Sequence, residues 1–147
     1  MITVSESAEV AAPATHVYKL IADYRDGHPR ILPPRWFGPL VVEEGGVGEG
    51  TLIRFELRAA GMKTPMRARI TEPEPGRRIV ETNVATGAET MFVVDPLPGG
   101  ERCRVEIRSQ WESHGLRGLV ERALVPRLLR RVFRDELRQL GTVVASS

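Results

Sequence analysis

Proton chemistry near neutrality needs a side chain that titrates there or is moved there by its surroundings, and this 147-residue chain offers four candidates: Glu136, Glu81, His28 and His114. Glu136 stands out by its setting. In the run Val125 to Leu140, VPRLLRRVFRDELRQL, a 3.6-residue period puts Val125, Leu128, Leu129, Val132, Phe133, Leu137 and Leu140 on one side and Arg127, Arg130, Arg131, Arg134 and Arg138 on the other. Glu136 lies near the middle of the apolar arc. A carboxylate buried there alone is costly, so it is either paired with an arginine from a strand or the preceding loop, or it is a polar anchor or acid at the floor of a pocket. His28, beside Pro29, is either a turn residue with a solvated imidazole or a polar group at a pocket mouth. Glu81 depends on strand register: along Arg78 to Val84 either Val80, Thr82 and Val84 point inward, or Ile79, Glu81 and Asn83 do.

Other chemistries lack their residues. There is no Ser-His-Asp spacing, no histidine pair for zinc and no cofactor loop, so no cofactor and no metal are expected, and any acid/base chemistry would be cofactor-free. The glycine run GGVGEG is followed by a strand, not by a helix opening with Gly-Lys-Ser/Thr, and reads as a hairpin loop, not a phosphate cradle. Cys103 is the only cysteine; alternation puts it in phase with Val105 and Ile107, as a buried thiol. The net charge of +2 is carried almost wholly by arginine, since Lys19 and Lys63 are the only lysines. The last run's arginines have no aromatics interleaved, which suits a solvated face better than a base-reading one, and no DNA partner is expected. No apolar run approaches the ~18–20 residues of a membrane span and the start of the chain is not leader-like, so the expected location is cytoplasmic.

These side chains need a scaffold, and the rest of the chain supplies short alternating segments. Ile2 to Ala11 places Val4, Ala8 and Val10 on one face. Ala12-Pro13-Ala14-Thr15 opens a helix ending near Asp23 or Tyr24. RDGHPRILPPRWFGP, with four prolines, cannot be one regular helix, yet carries Ile31, Leu32, Trp36 and Phe37, as a lid or entrance would. Strands follow at Leu40–Glu44, Thr51–Ala59, Met66–Thr71, Arg78–Val84, Ala88–Val94 and Arg102–Trp111, the turns short enough for antiparallel neighbours. Ser113 can cap a helix from about Leu116. Its apolar residues, Leu116, Leu119, Val120, Ala123 and Leu124, are rotated by nearly half a turn from the later face, which predicts a short helix, a sharp kink at Pro126 and a long helix ended by Gly141. The fold class is α+β: seven strands in a curved antiparallel sheet wrapped around a long C-terminal helix, in a single domain over residues 1–147.

In the segments VSESAEVAAPATHVYKLIADY, VVEEGGVGEGTLIRFEL, ITEPEPGRRIVET, VVDPLPGG and VPRLLRRVFRDELRQL the chain resembles the START and birch-pollen-allergen (SRPBCC) superfamily of helix-grip folds, especially its bacterial polyketide cyclase/dehydrase-like branch. The resemblance implies a deep, mostly apolar cavity between sheet and last helix for a lipid, polyketide or aromatic molecule. It puts Ile53, Phe55, Leu57, Met66, Ala68, Phe92, Val94, Ile107, Ser109 and Trp111 in the wall from the strands, and Leu129, Val132, Phe133 and Glu136 from the helix. The lid would be His28 to Phe37, with Trp36 and Phe37 as its large side chains. Cyclase members are similar in using a few polar groups to enolise and fold a poly-ketone chain, but no fixed motif carries those roles onto this sequence.

Three readings of function follow. A binding or carrier protein for a hydrophobic small molecule asks least of the residues present. A cofactor-free cyclase or dehydratase needs Glu136, Glu81 or His28 tuned towards neutrality. An interaction module would meet protein or RNA through the Arg127–Arg138 face. Oligomeric state is not readable from the pattern.

Overall fold

The alternation in the first segment makes a half-buried strand, β1 (Ile2–Val10), with Ile2, Val4 and Val10 inward. The computed structural model describes residues 1–59 and 61–146, and only the backbone at Arg117 and Val120. After β1 come α1 (Ala14–Ala22), α2 (His28–Ile31), β2 (Val41–Glu44), β3 (Leu52–Ala59), β4 (Met62–Glu74), β5 (Arg78–Asn83), β6 (Glu89–Pro96), β7 (Cys103–Trp111) and α3 (Gly115–Ala145). The seven strands form one sheet in the order β1-β7-β6-β5-β4-β3-β2, every pair antiparallel. β2 to β7 are therefore a meander, and the first strand closes against the last, Ile2 opposite Trp111 and Val10 opposite Cys103. This is the α+β helix-grip arrangement, with α3 against the sheet.

The apolar arc of α3 is the face that is covered: Val132, Phe133, Leu137 and Leu140 are each at most 5% exposed. Burial of such side chains stabilises by roughly 1.5–3 kcal/mol each, so this face anchors the helix in the grip. Arg127, Arg130, Arg131, Arg134 and Arg138 lie on the exposed side. Arg134 pairs with Glu6, Arg138 with Asp135, and Arg131 stands 5.7 Å from the Trp36 ring.

Four boundaries of α3 and β4 differ from those the sequence predicts. The helix does not divide at Pro126 but runs without interruption from Gly115 to Ala145. Proline removes one ladder bond, to the carbonyl of Arg122, and that stretch is exposed at Arg122, Ala123 and Leu124, where water can take the lost bond's place. The earlier apolar residues accordingly face outward, with Leu116, Leu119 and Leu124 exposed; the side chain of Val120 lies outside the described residues. The cap is His114, not Ser113, and the helix passes Gly141 because Val144, one turn on, is buried in the core. β4 is also longer than its alternating part, because Met62 to Pro65 pair with β3 through the backbone while their side chains stay exposed. Pro73 is accommodated at an irregularity between Thr71 and Glu74.

Candidate functional site

The register left open at β5 resolves with Ile79, Glu81 and Asn83 inward: Ile79 is fully buried, Glu81 reaches the interior and Asn83 donates to the Met66 sulfur at 3.9 Å. Glu81 meets two groups from the α1–α2 corner. The chain passes so tightly there that a Cβ on Gly27 would collide with the carbonyl of Leu20, so only glycine fits, and the turn delivers His28 back under α1. The His28 amide donates to the Asp23 carbonyl at 2.7 Å, and its ring Nδ1–H donates to the Ile21 carbonyl at 2.8 Å. A carbonyl accepts only, so this bond fixes the tautomer and leaves Nε2 as the free lone pair. Nε2 faces Glu81 Oε2 at 3.5 Å, and the Tyr24 hydroxyl donates to the same oxygen at 2.8 Å. The Tyr24 and His28 rings stack at 4.4 Å, and Phe92 meets the imidazole edge-on at 5.3 Å.

His28 is thus 2% exposed and not a solvated turn residue, because the Gly27 turn tucks it beneath α1. Burial pulls its pKa down to about 4. Burial pushes Glu81 up to about 7, against the opposing hydrogen bond from Tyr24. Both shifts favour uncharged forms, so between about pH 4 and 7 the pair is an imidazole beside a carboxylic acid rather than an ion pair. Tyr24 is driven well above its ordinary value by burial and then by the nearby Glu81.

Glu136 is 3% exposed on the apolar face of α3, and the arginine partner that one sequence reading gives it is absent among the described residues. Burial first, and the neighbouring Glu81 second, raise its pKa well above the carboxylate range. Among the described residues no fully buried side-chain oxygen or nitrogen lacks a partner, yet none donates to Glu136. Its carboxyl oxygens therefore touch open space.

That space is a cavity of about 240 Å³ between the sheet and α3, with His28, Glu81 and Glu136 in its lining. An apolar cavity of roughly 150 Å³ admits benzene, so this one suits a body of about two rings. β3 contributes Ile53, Phe55 and Leu57, β4 Met66, β6 Phe92, β7 Ser109 and Trp111, and α3 Leu129, Val132 and Phe133, all positions the sequence points to. The lid contributes Phe37, held in place where Gly38 N–H donates to the Glu56 carbonyl and Arg58 N–H to the Trp36 carbonyl. Four expected wall residues lie elsewhere. Ala68, Val94 and Ile107 are buried in the hydrophobic core and are not in the cavity lining. Trp36 turns away to the outer flank of α3, where its Nε1–H donates to Asp135 Oδ2 at 2.8 Å under the guanidinium of Arg35. His114 is exposed at the start of α3, away from the cavity.

Leu32 lines the cavity from the lid, and Leu40, Ala88, Thr90 and Val125 line it without being assigned to its wall by the sequence. Thr90 is in phase with Phe92, which was signal enough; its hydroxyl and that of Ser109 are 3.0 Å apart, and Ser109 donates on to the Glu89 carbonyl. Tyr24, just past the end of α1, continues that helix's apolar face in sequence, and only the tertiary fold brings its hydroxyl to Glu81. Among the described residues there is no group of three or more His, Cys, Asp or Glu that could hold a metal, and no helix long and apolar enough to cross a membrane.

Over residues 1–145 the sequence matches the family model described as polyketide cyclase / dehydrase and lipid transport. The chain belongs to this family. No curated protein matches it. Among solved structures, the KanY protein, determined by NMR, is 23% identical with a TM-score of 0.83, covering 98% of this chain and 97% of its own. A START superfamily protein from Mycobacterium smegmatis is 17% identical with a TM-score of 0.75, covering 98% and 97%. The Zhui aromatase/cyclase from Streptomyces sp. R1128 is 21% identical with a TM-score of 0.73, covering 96% and 92%. At these identities the likeness is one of fold. For a member of the polyketide cyclase/dehydrase and lipid transport family, a mostly apolar cavity fits hydrophobic-ligand binding or polyketide cyclase activity.

Proposed function

We propose that this protein binds a compact hydrophobic small molecule in the cavity between the sheet and α3, with a polar group of the ligand directed at Glu81 and Glu136. One observation carries the reading: a buried carboxyl, Glu136, opens without a partner among the described residues onto a mostly apolar cavity whose size suits about two rings. Binding to a site of this kind draws most of its free energy from apolar burial, roughly 25 cal/mol per Å2, and its orientation from the few polar groups. Calorimetric titration with 1-naphthalenemethanol tests it. One-to-one binding that Phe133→Trp abolishes, with the circular dichroism spectrum unchanged, supports the reading; binding indifferent to Phe133→Trp contradicts it.

A second reading, a cofactor-free cyclase- or dehydratase-type enzyme, is favoured by Glu81, whose pKa of about 7 suits a group that gives and takes a proton near neutrality. The Tyr24–Glu81–His28 chain would hold that proton at Oε2, and Glu136 would polarise a ligand oxygen. Deuterium exchange at the α-carbon of 2-tetralone, followed by NMR, tests this. Acceleration lost in both Glu81→Gln and Glu136→Gln supports it, and a rate equal to buffer alone removes it.

A further inference from the structure

The hydrogen-bonding inventory of the cavity floor is unbalanced. Every fixed N–H or O–H donor is already committed within the protein: His28 Nδ1–H to Ile21, the Tyr24 hydroxyl to Glu81, the Ser109 hydroxyl to Glu89, and with that choice the Thr90 hydroxyl to Ser109. Among the described residues no lysine or arginine lines the cavity, and the one histidine there presents a lone pair, to Glu81. What remains unused is a second Glu81 oxygen and both oxygens of Glu136, that is, acids and acceptors. Glu136 is the independent sign that something is missing: it is 3% exposed, it has no partner among the described residues, and it opens into the space the ligand would fill.

The complement of two acids with no base is a base. We infer that the cavity selects a hydrophobic amine, a primary or secondary ammonium group on a body of about one or two rings, with its nitrogen held between Glu136 and Glu81. This rests on the small-molecule reading above and sharpens it. The amine enters as the free base and takes the Glu136 proton, or enters as ammonium while Glu136 releases its proton to water; either way the cavity gains one ammonium and one carboxylate and no net charge. The N–H donors then meet the vacant oxygens, and the rings of Phe92, Phe133 and Trp111 in the same lining are suitable neighbours for a cation. Organic carboxylates and phosphates are disfavoured, because they would bury an anion beside two carboxyl groups with no cation in the described lining to offset it. A neutral carbonyl has only an acid proton to accept and leaves the other oxygens idle.

Calorimetric titration with four compounds of one shape separates the possibilities: 1-(aminomethyl)naphthalene, 1-naphthalenemethanol, 1-acetylnaphthalene and 1-naphthoic acid. The amine is expected to bind at least about tenfold more tightly than the alcohol or the ketone, as a charge-assisted hydrogen bond does, and the acid not to bind. Glu136→Gln should remove that advantage, and an unchanged circular dichroism spectrum reports that the variant is folded. Ketone or acid binding as tightly as the amine would overturn the inference, as would an advantage that survives Glu136→Gln. If the alcohol binds and the amine does not, the amine assignment alone fails. If none of the four binds, the cavity reading fails for bodies of this size and the inference fails with it.

Discussion

Replacing Glu136 by glutamine should change how the stability of the protein depends on pH more than it changes the stability at any one pH. The unfolded chain titrates Glu136 near its ordinary 4.5, and burial beside Glu81 raises the folded value well above that. Between those two values the folded protein holds one proton more than the unfolded chain. Raising the pH therefore favours unfolding, and stability that is whole below about 4.5 is lost as pH rises towards the folded value, at the one-proton limit of about 1.4 kcal/mol per pH unit. The neighbouring pair does not mask this. Glu81, raised to about 7, loses stabilisation as pH rises through that value, whereas His28, lowered to about 4 from 6.5, loses it as pH falls. Between about pH 4.5 and 6.5 the folded and unfolded pairs each hold one proton, so their opposing slopes offset there. Glu136 is left to set the slope. At that limit the wild type loses up to about 2 kcal/mol relative to Glu136→Gln from about pH 5 to 6.5, or up to about 4–8 °C in Tm for a chain of this length. Urea unfolding followed by tryptophan fluorescence across that range measures it. Parallel curves for the two proteins would refute the buried, protonated carboxyl.

Tyr24→Phe deletes the donor to Glu81, so it should cost about 1 kcal/mol in urea unfolding and lift Glu81 further above its value of about 7 in an NMR titration of the labelled carboxyl. Leu119→Ser, at an exposed position of α3, should leave stability within about 0.5 kcal/mol, whereas Leu137→Ala, at 4% exposure on the covered face of the same helix, should cost roughly 2–5 kcal/mol. Trp36→Phe loses the bond to Asp135 and about 1 kcal/mol of stability, but its binding of 1-naphthalenemethanol should stay within about twofold of wild type, because Trp36 lies outside the cavity.

The fold was legible because period-2 and period-3.6 patterns report which face is covered, and in the strands and in Val125 to Leu140 one face plainly is. The failures share a physical cause. The division at Pro126 follows from backbone bonding and two differently directed apolar stripes, but Leu116, Leu119 and Leu124 of the first stripe are left exposed, so no core contact makes a separate helix of it. Glu136 was flagged by the conflict between its charge and its arc. The environment of His28 was not legible, because its burial depends on the tight Gly27 turn that folds α2 back under α1. The link between Tyr24 and Glu81, 57 residues apart, exists only once β5 and α1 are packed together. Ala68, Val94 and Ile107 share the inward direction of the cavity residues, and periodicity carries no information about where along a strand the interior is filled and where it is open.

The central claim is that a hydrophobic molecule occupies the space between the sheet and α3 with its polar end at Glu81 and Glu136. Intermolecular nuclear Overhauser effects between 1-naphthalenemethanol and methyl- and aromatic-labelled protein test it most directly. The account predicts contacts from the ring protons to Leu129, Phe133 and Phe92, with the CH2OH protons nearest the Glu136 side chain. Contacts confined to the exposed leucines at the start of α3, or none to the cavity lining at saturating probe, would contradict it.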